Sequence, residues 1–209
     1  MRTYLLYFLL VLFLTGCVVG RKASYRNMQV DMPSGLDKSL ALATWDQRKQ
    51  VLDGSQNEEF VGYMRSGVGI AYPVGTASGK DFAQVISEKI SESFEDGKAN
   101  VEIIQLQPLY SKDQVMEKLH SSEGDRLVLL KCNELHSDGY SQQTLNYDID
   151  LTVYNAQRES LASKNFSGDR FISAQKMSVN EILEEDMPRT LNELIEEMFN
   201  DSTVQSALN

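Results

Sequence analysis

Two cysteines, two histidines, a few serines and one lysine-bearing glycine loop are the residues of this 209-residue chain that could carry chemistry. A cysteine is acylated, oxidised or nucleophilic only as its thiolate, so its surroundings decide which. Cys132 closes the run Leu127-Val128-Leu129-Leu130-Lys131-Cys132, where a small buried apolar role is expected. His120 and His136 stand apart from any Cys/His/Asp cluster at ligand spacing, so no metal is expected. Ser66, Ser87, Ser121 and Ser137 lack a Gly-x-Ser-x-Gly elbow. The stretch Gly75-Thr76-Ala77-Ser78-Gly79-Lys80-Asp81 has three residues between its glycines where a phosphate loop needs four. An acid also follows its lysine, and a carboxylate there repels phosphate. The expectation is a chain with no catalytic residues and no cofactor, not an enzyme.

Cys17 is different. Arg2 is the only charge before it, residues 4–14 are an unbroken apolar run, and Leu14-Thr15-Gly16 leads straight into the thiol. The run is too short to span a bilayer, which takes about 20 residues, and has the length of a signal h-region. The Leu-small-Gly-Cys ending resembles the lipobox of bacterial lipoproteins. That resemblance implies removal of a signal peptide at 1–16 and acylation of Cys17 on its thiol and its new amino group. Each buried methylene adds about 0.8 kcal/mol, and several chains together hold a protein on a membrane. Val18 and Val19 follow, not the Asp that marks inner-membrane retention, so the implied site is the periplasmic face of the outer membrane. Cleavage removes one positive charge from a chain whose formal charge is already −10. Such a balance speaks against nucleic acid or anionic lipid as the main partner. With Cys17 acylated, Cys132 has no disulfide partner.

Hydropathy then outlines the elements. Residues 18–36 are basic and polar and read as a tether; 37–200 read as one domain, and 201–209 as a frayed tail. Apolar runs at 39–45 and 126–135 read as central strands, with a shorter strand at 59–65 and a glycine-rich stretch after it. Strict alternation of Leu145, Tyr147, Ile149, Leu151 and Val153 with polar residues predicts a half-solvated strand, and 161–169 pairs with it. Spacings of three and four predict helices at 79–96, capped by Ser78, at 112–120, and at 179–199, where Pro188 demands a break or kink near Met187. A strand at 101–106 lies between the first two. The expected fold is α/β (α+β), a mixed sheet of about six strands with about three helices mainly on one face.

Asp46-Gln47-Arg48, the segment 62–69 (GYMRSGVG), Asp125-Arg126-Leu127-Val128 and the Asn200-Asp201 to Ala207-Leu208 ending together resemble small bacterial envelope lipoproteins. Their domain is similar to those of YajG, LpoB and the N-terminal part of CsgG. The resemblance implies a non-enzymatic accessory that binds another envelope protein. The candidate contact residues are Asp46, Arg48, Arg65, Gly67 and Gly69, because glycine loops leave backbone donors open and the arginines are rare cations on an acidic domain. Arg48→Glu with Arg65→Glu is accordingly expected to leave the fold intact. The alternative is a periplasmic-face carrier of a lipid or other apolar ligand, which requires a concave pocket of roughly 300 Å³ or more on the open sheet face.

Overall fold

The computed structural model describes residues 20–32, 38–96, 99–174 and 178–209. The signal segment, Cys17 and residues 33–36 of the expected tether lie outside them. Eight strands form one sheet: β1 (Arg21–Ala23), β2 (Leu40–Asp46), β3 (Phe60–Arg65), β4 (Ala71–Thr76), β5 (Val101–Ile103), β6 (Arg126–Asp138), β7 (Gln142–Asn155) and β8 (Ser160–Ala174). The helices are α1 (Lys49–Leu52), α2 (Phe82–Asp96), α3 (Lys112–His120), α4 (Val179–Glu181), α5 (Met187–Asn200) and α6 (Ser202–Leu208).

β6 organises the sheet. One of its edges pairs antiparallel with β7 along nearly its whole length, and β7 pairs onward with β8. Its other edge divides. Arg126–Cys132 runs parallel to β2, which carries β5 on its far side. Further along, Ser137 pairs with Gly62 of β3, which continues through antiparallel β4 to parallel β1. The sheet therefore forks between β2 and β3. At the fork a Cβ on Gly62 (φ +149°) would lie 2.2 Å from Ser137 Oγ and 2.5 Å from its backbone nitrogen, so the strands meet only because this residue is glycine.

One face of the sheet is covered by α2, α5 and α6. Phe94 and Phe199 meet edge to face at 5.5 Å between ring centres there. On the other face α3 packs Val115 and Leu119 onto Ala41, Ala43, Leu127 and Leu129; the alanines of β2 let the helix come close. α3 stops over β6, so the outer face of β7 and β8 meets solvent, which is why β7 alternates so cleanly. The start of α3 is fixed by a capping box: Gln114 N–H donates to Ser111 Oγ at 3.3 Å and Ser111 N–H to Gln114 Oε1 at 2.8 Å.

Pro188 does not break the helix, since Glu181, Ile182, Asp186 and Met187 all keep right-handed helical backbone angles. It cannot donate to the carbonyl four residues back, and the chain answers with a π-helical turn at Ile182–Asp186 that feeds Pro188 into the first turn of α5. The Thr190 hydroxyl then donates to Asp186 O at 2.8 Å.

Three expectations are corrected. Residues 21–32 are no tether. β1 is an edge strand, Tyr25, Met28 and Val30 are buried, and Val30 N–H and Asp31 N–H donate to Ser93 Oγ and Glu196 Oε1 on α2 and α5. Residues 202–208 are no frayed tail, because α6 buries Val204, Ala207 and Leu208. Ser78 does not cap α2. Its hydroxyl accepts from Lys80 N–H, and the helix begins at Phe82. The glycine-rich stretch after β3 also holds a strand, β4, whose Gly75 and Pro73 hide it from propensity.

Candidate functional site

Asp46 and Arg48 leave the end of β2 as a buried pair, with side chains 5% and 1% exposed. Arg48 Nε and Nη2 donate to the two Asp46 carboxylate oxygens at 2.8 and 2.6 Å. Nη1 donates to Phe60 O of β3 at 2.5 Å and to Leu135 O of β6 at 3.3 Å. Leu135 lies between the part of β6 that pairs with β2 and the part that meets β3, so the guanidinium fills the gap where the sheet forks. The Phe60 and Phe82 rings flank it at 5.9 and 5.3 Å. Neither side chain is open to solvent. The expectation of an open contact at Asp46 and Arg48 is corrected, because both side chains are buried and the guanidinium donors go to Asp46, Phe60 O and Leu135 O. Nearby, burial first and then the neighbouring Asp81 and Asp46 carboxyls push the Glu58 carboxyl above its usual range.

Arg65, Gly67 and Gly69 are brought together. Arg65 ends β3, and its Nε and Nη2 donate to both oxygens of Asp138 at 2.8 and 2.7 Å, locking the β3–β4 tip to the β6–β7 tip. Burial resists ionisation of Asp138, but the Arg65 guanidinium and the Gly139 N–H outweigh it and hold the carboxyl below its ordinary range. Tyr140 Oη donates to Gly67 O at 2.6 Å. Gly69 sits at φ +86°, closing the turn with its N–H on Ser66 O at 2.8 Å, and a Cβ there would rest on the Tyr140 ring at 3.6 Å. Val68 and Ile70 project from this clasp, 80% and 55% exposed. Behind it lies a cavity of about 380 Å³ lined by Arg21, Met64, Arg65, Tyr140, Gln143 and Ile182. Sequence reasoning missed Asp138 and Tyr140. They are ordinary loop residues until the fork sets two hairpins side by side.

Cys132 is buried on β6, and burial, with Asp46 adding and Arg48 opposing, pushes its thiol up to about 12. It is a core residue, not a nucleophile. On the less covered face a groove of about 560 Å³ runs beside α3, between Trp45, Met116, Leu129, Thr152 and Tyr154, with Lys131 at its rim. Among the described residues no three His, Cys, Asp or Glu side chains gather as metal ligands, and no helix is long and apolar enough to cross a membrane.

The class this architecture defines is a single mixed sheet, forked on its central strand and covered unequally by helices on its two faces. This chain is similar in fold to protein XCC0632 from Xanthomonas campestris, described as DUF330, with a TM-score of 0.53 at 14% identity, over 90% of this chain and 94% of that one. PelC from Paraburkholderia phytofirmans, in its dodecamer, matches at 0.44 (11% identity; 86% and 94% covered). Lipoprotein GNA1162 from Neisseria meningitidis matches at 0.31 (12% identity; 81% and 100% covered). Only the first is near enough to establish the shared fold. No family model and no curated protein matches the chain.

Proposed function

We propose that this chain is a lipid-anchored, non-enzymatic accessory of the bacterial envelope, held by Cys17 at the periplasmic face of the outer membrane and acting by contact with another envelope protein. The observation that carries this reading is the clasped hairpin end. Its loops are already ordered by the Arg65–Asp138 pair and the Tyr140–Gly67 bond, yet they leave Val68 and Ile70 in solvent. A preformed surface loses little entropy on docking, which is how rigid loop clusters hold partners. Val68→Asp with Ile70→Asp should leave the domain folded, since both side chains point outward, and should reduce the envelope protein recovered with the full chain from detergent-solubilised membranes. Equal recovery by the folded double variant would remove this end from the contact.

The groove beside α3 favours a second reading, a carrier of an amphipathic ligand. Its volume of about 560 Å³ exceeds the minimum for a small-molecule site, and its rim holds Lys112 and the Lys131–Asp150 pair at 3.9 Å, which suit a polar head group. A fluorescent fatty acid should brighten on binding the wild type and fail to do so with Thr152→Trp, which fills the floor. No binding to either protein removes the carrier reading.

A further inference from the structure

The hairpin end and the anchor lie at the same end of the molecule. β1 runs parallel to β4 with Arg21 beside Val74, so the chain enters β1 from the side of the 66–70 tip. From Ile70 to Val74 is four residues, about 13 Å of strand. Cys17 is four residues before Arg21, and at most about 3.6 Å per residue its reach from β1 is no more than about 14 Å. Had residues 18–36 been a tether, the domain could have stood well off the lipid in any orientation. With β1 in the sheet, an acylated Cys17 holds this end within reach of the headgroups.

The surface there fits that position. Of the eight large apolar side chains exposed among the described residues, Val68, Ile70, Tyr72, Tyr140 and Phe171 sit at this end of the sheet. The tip segments 66–71 and 139–144 hold no charged residue, in a chain with a formal charge of −10. Asp138, next in sequence to the 139–144 tip, is paired with Arg65, and Arg21 lies over the Tyr72 ring at 5.6 Å. Aliphatic tips with tyrosine and flanking arginine are the side chains a bilayer interface accepts, while a free carboxylate would be excluded.

We infer that the hairpin end of the domain seats directly on the bilayer that holds the anchor, with Val68 and Ile70 in the headgroup region and the 156–159 loop pointing away. This rests on the anchoring at Cys17 proposed above, but it gives the hairpin end to the bilayer instead of to the envelope protein, whose contact then falls on the outer face of β7 and β8. It turns the apolar tip into an orienting foot, one that presents the outer face of β7 and β8 in a fixed direction to the rest of the envelope.

The test uses the full chain reconstituted in vesicles of phosphatidylethanolamine and phosphatidylglycerol, with an environment-sensitive fluorophore on Val68→Cys or, as control, on Gln157→Cys. The control position is exposed in the turn at the far end of β7, about 40 Å away along the strand. Cys132 is buried and stays unlabelled. Nitroxide-bearing phospholipids should quench most of the emission at 68 and leave that at 157 unchanged, and emission at 68 should shift to the blue. The mass of Cys17 is read on the same sample. An acylated chain with both labels unquenched, or both equally quenched, overturns the seating and leaves the anchor standing. Lack of quenching in vesicles combined with shielding of position 68 in native envelopes assigns the surface to a protein instead, and also overturns it. An unacylated Cys17 overturns the anchor and the seating together.

Discussion

Asp46→Ala and Arg48→Ala are each expected to lower the free energy of unfolding by about 3–5 kcal/mol, because each leaves its partner as an uncompensated buried charge. The Arg48 variant also strips the donors from Phe60 O and Leu135 O at the fork, so β3 should loosen from β6 as well. Urea unfolding checks this: the midpoint falls while the slope stays that of one cooperative domain. The double variant Asp46→Ala/Arg48→Met should cost clearly less than the two single losses added, since no lone charge remains. Losses below about 1 kcal/mol for both singles would mean the pair behaves as an exposed one. By the same reasoning Arg48→Glu, harmless if the arginine faced solvent, sets two carboxylates together in the core and should prevent folding, whereas Arg65→Glu alone should not.

Leu208→Ala is expected to cost about 2–5 kcal/mol, the range for emptying a closely packed leucine site. Leu208 is 1% exposed although only Asn209 follows it in the sequence. α6 is held in place from several sides. Asp201 accepts from Thr203 N–H and Val204 N–H at 3.0 and 3.3 Å and pairs with Lys164 of β8, and Arg126 Nε donates to Ala207 O at 2.8 Å. A frayed tail would tolerate the change within about 0.5 kcal/mol, so thermal or urea unfolding separates the two descriptions at once.

Where local pattern sets the structure, the sequence is easily read. α3 lies at the expected 112–120, β7 contains the expected alternation, and the irregularity expected near Pro188 is a π-helical turn at Ile182–Asp186, just before it. What stayed hidden depends on contacts between distant segments. β1 is three residues long and exists because β4 offers it an edge. α6 has weak propensity and is stabilised by burial of Val204 and Leu208. Asp46-Gln47-Arg48 was visible as a unit, but an acid and an arginine two residues apart look the same on a surface and in a core. Only the fork between β2 and β3 decides, and no local spacing encodes it. Arg65, Gly67 and Gly69 do come together, but their partners Asp138 and Tyr140 lie over 70 residues away and carry no signal of the pairing.

The central claim is the anchor, and intact mass spectrometry of Cys17 with membrane fractionation tests it most directly. The wild-type chain should lack residues 1–16, carry acyl chains on Cys17 and float with outer-membrane vesicles. Cys17→Ser should remain unacylated with the signal uncut. A wild-type chain without acyl mass, or a Cys17→Ser variant that still takes up labelled palmitate and floats with the outer membrane, would contradict it.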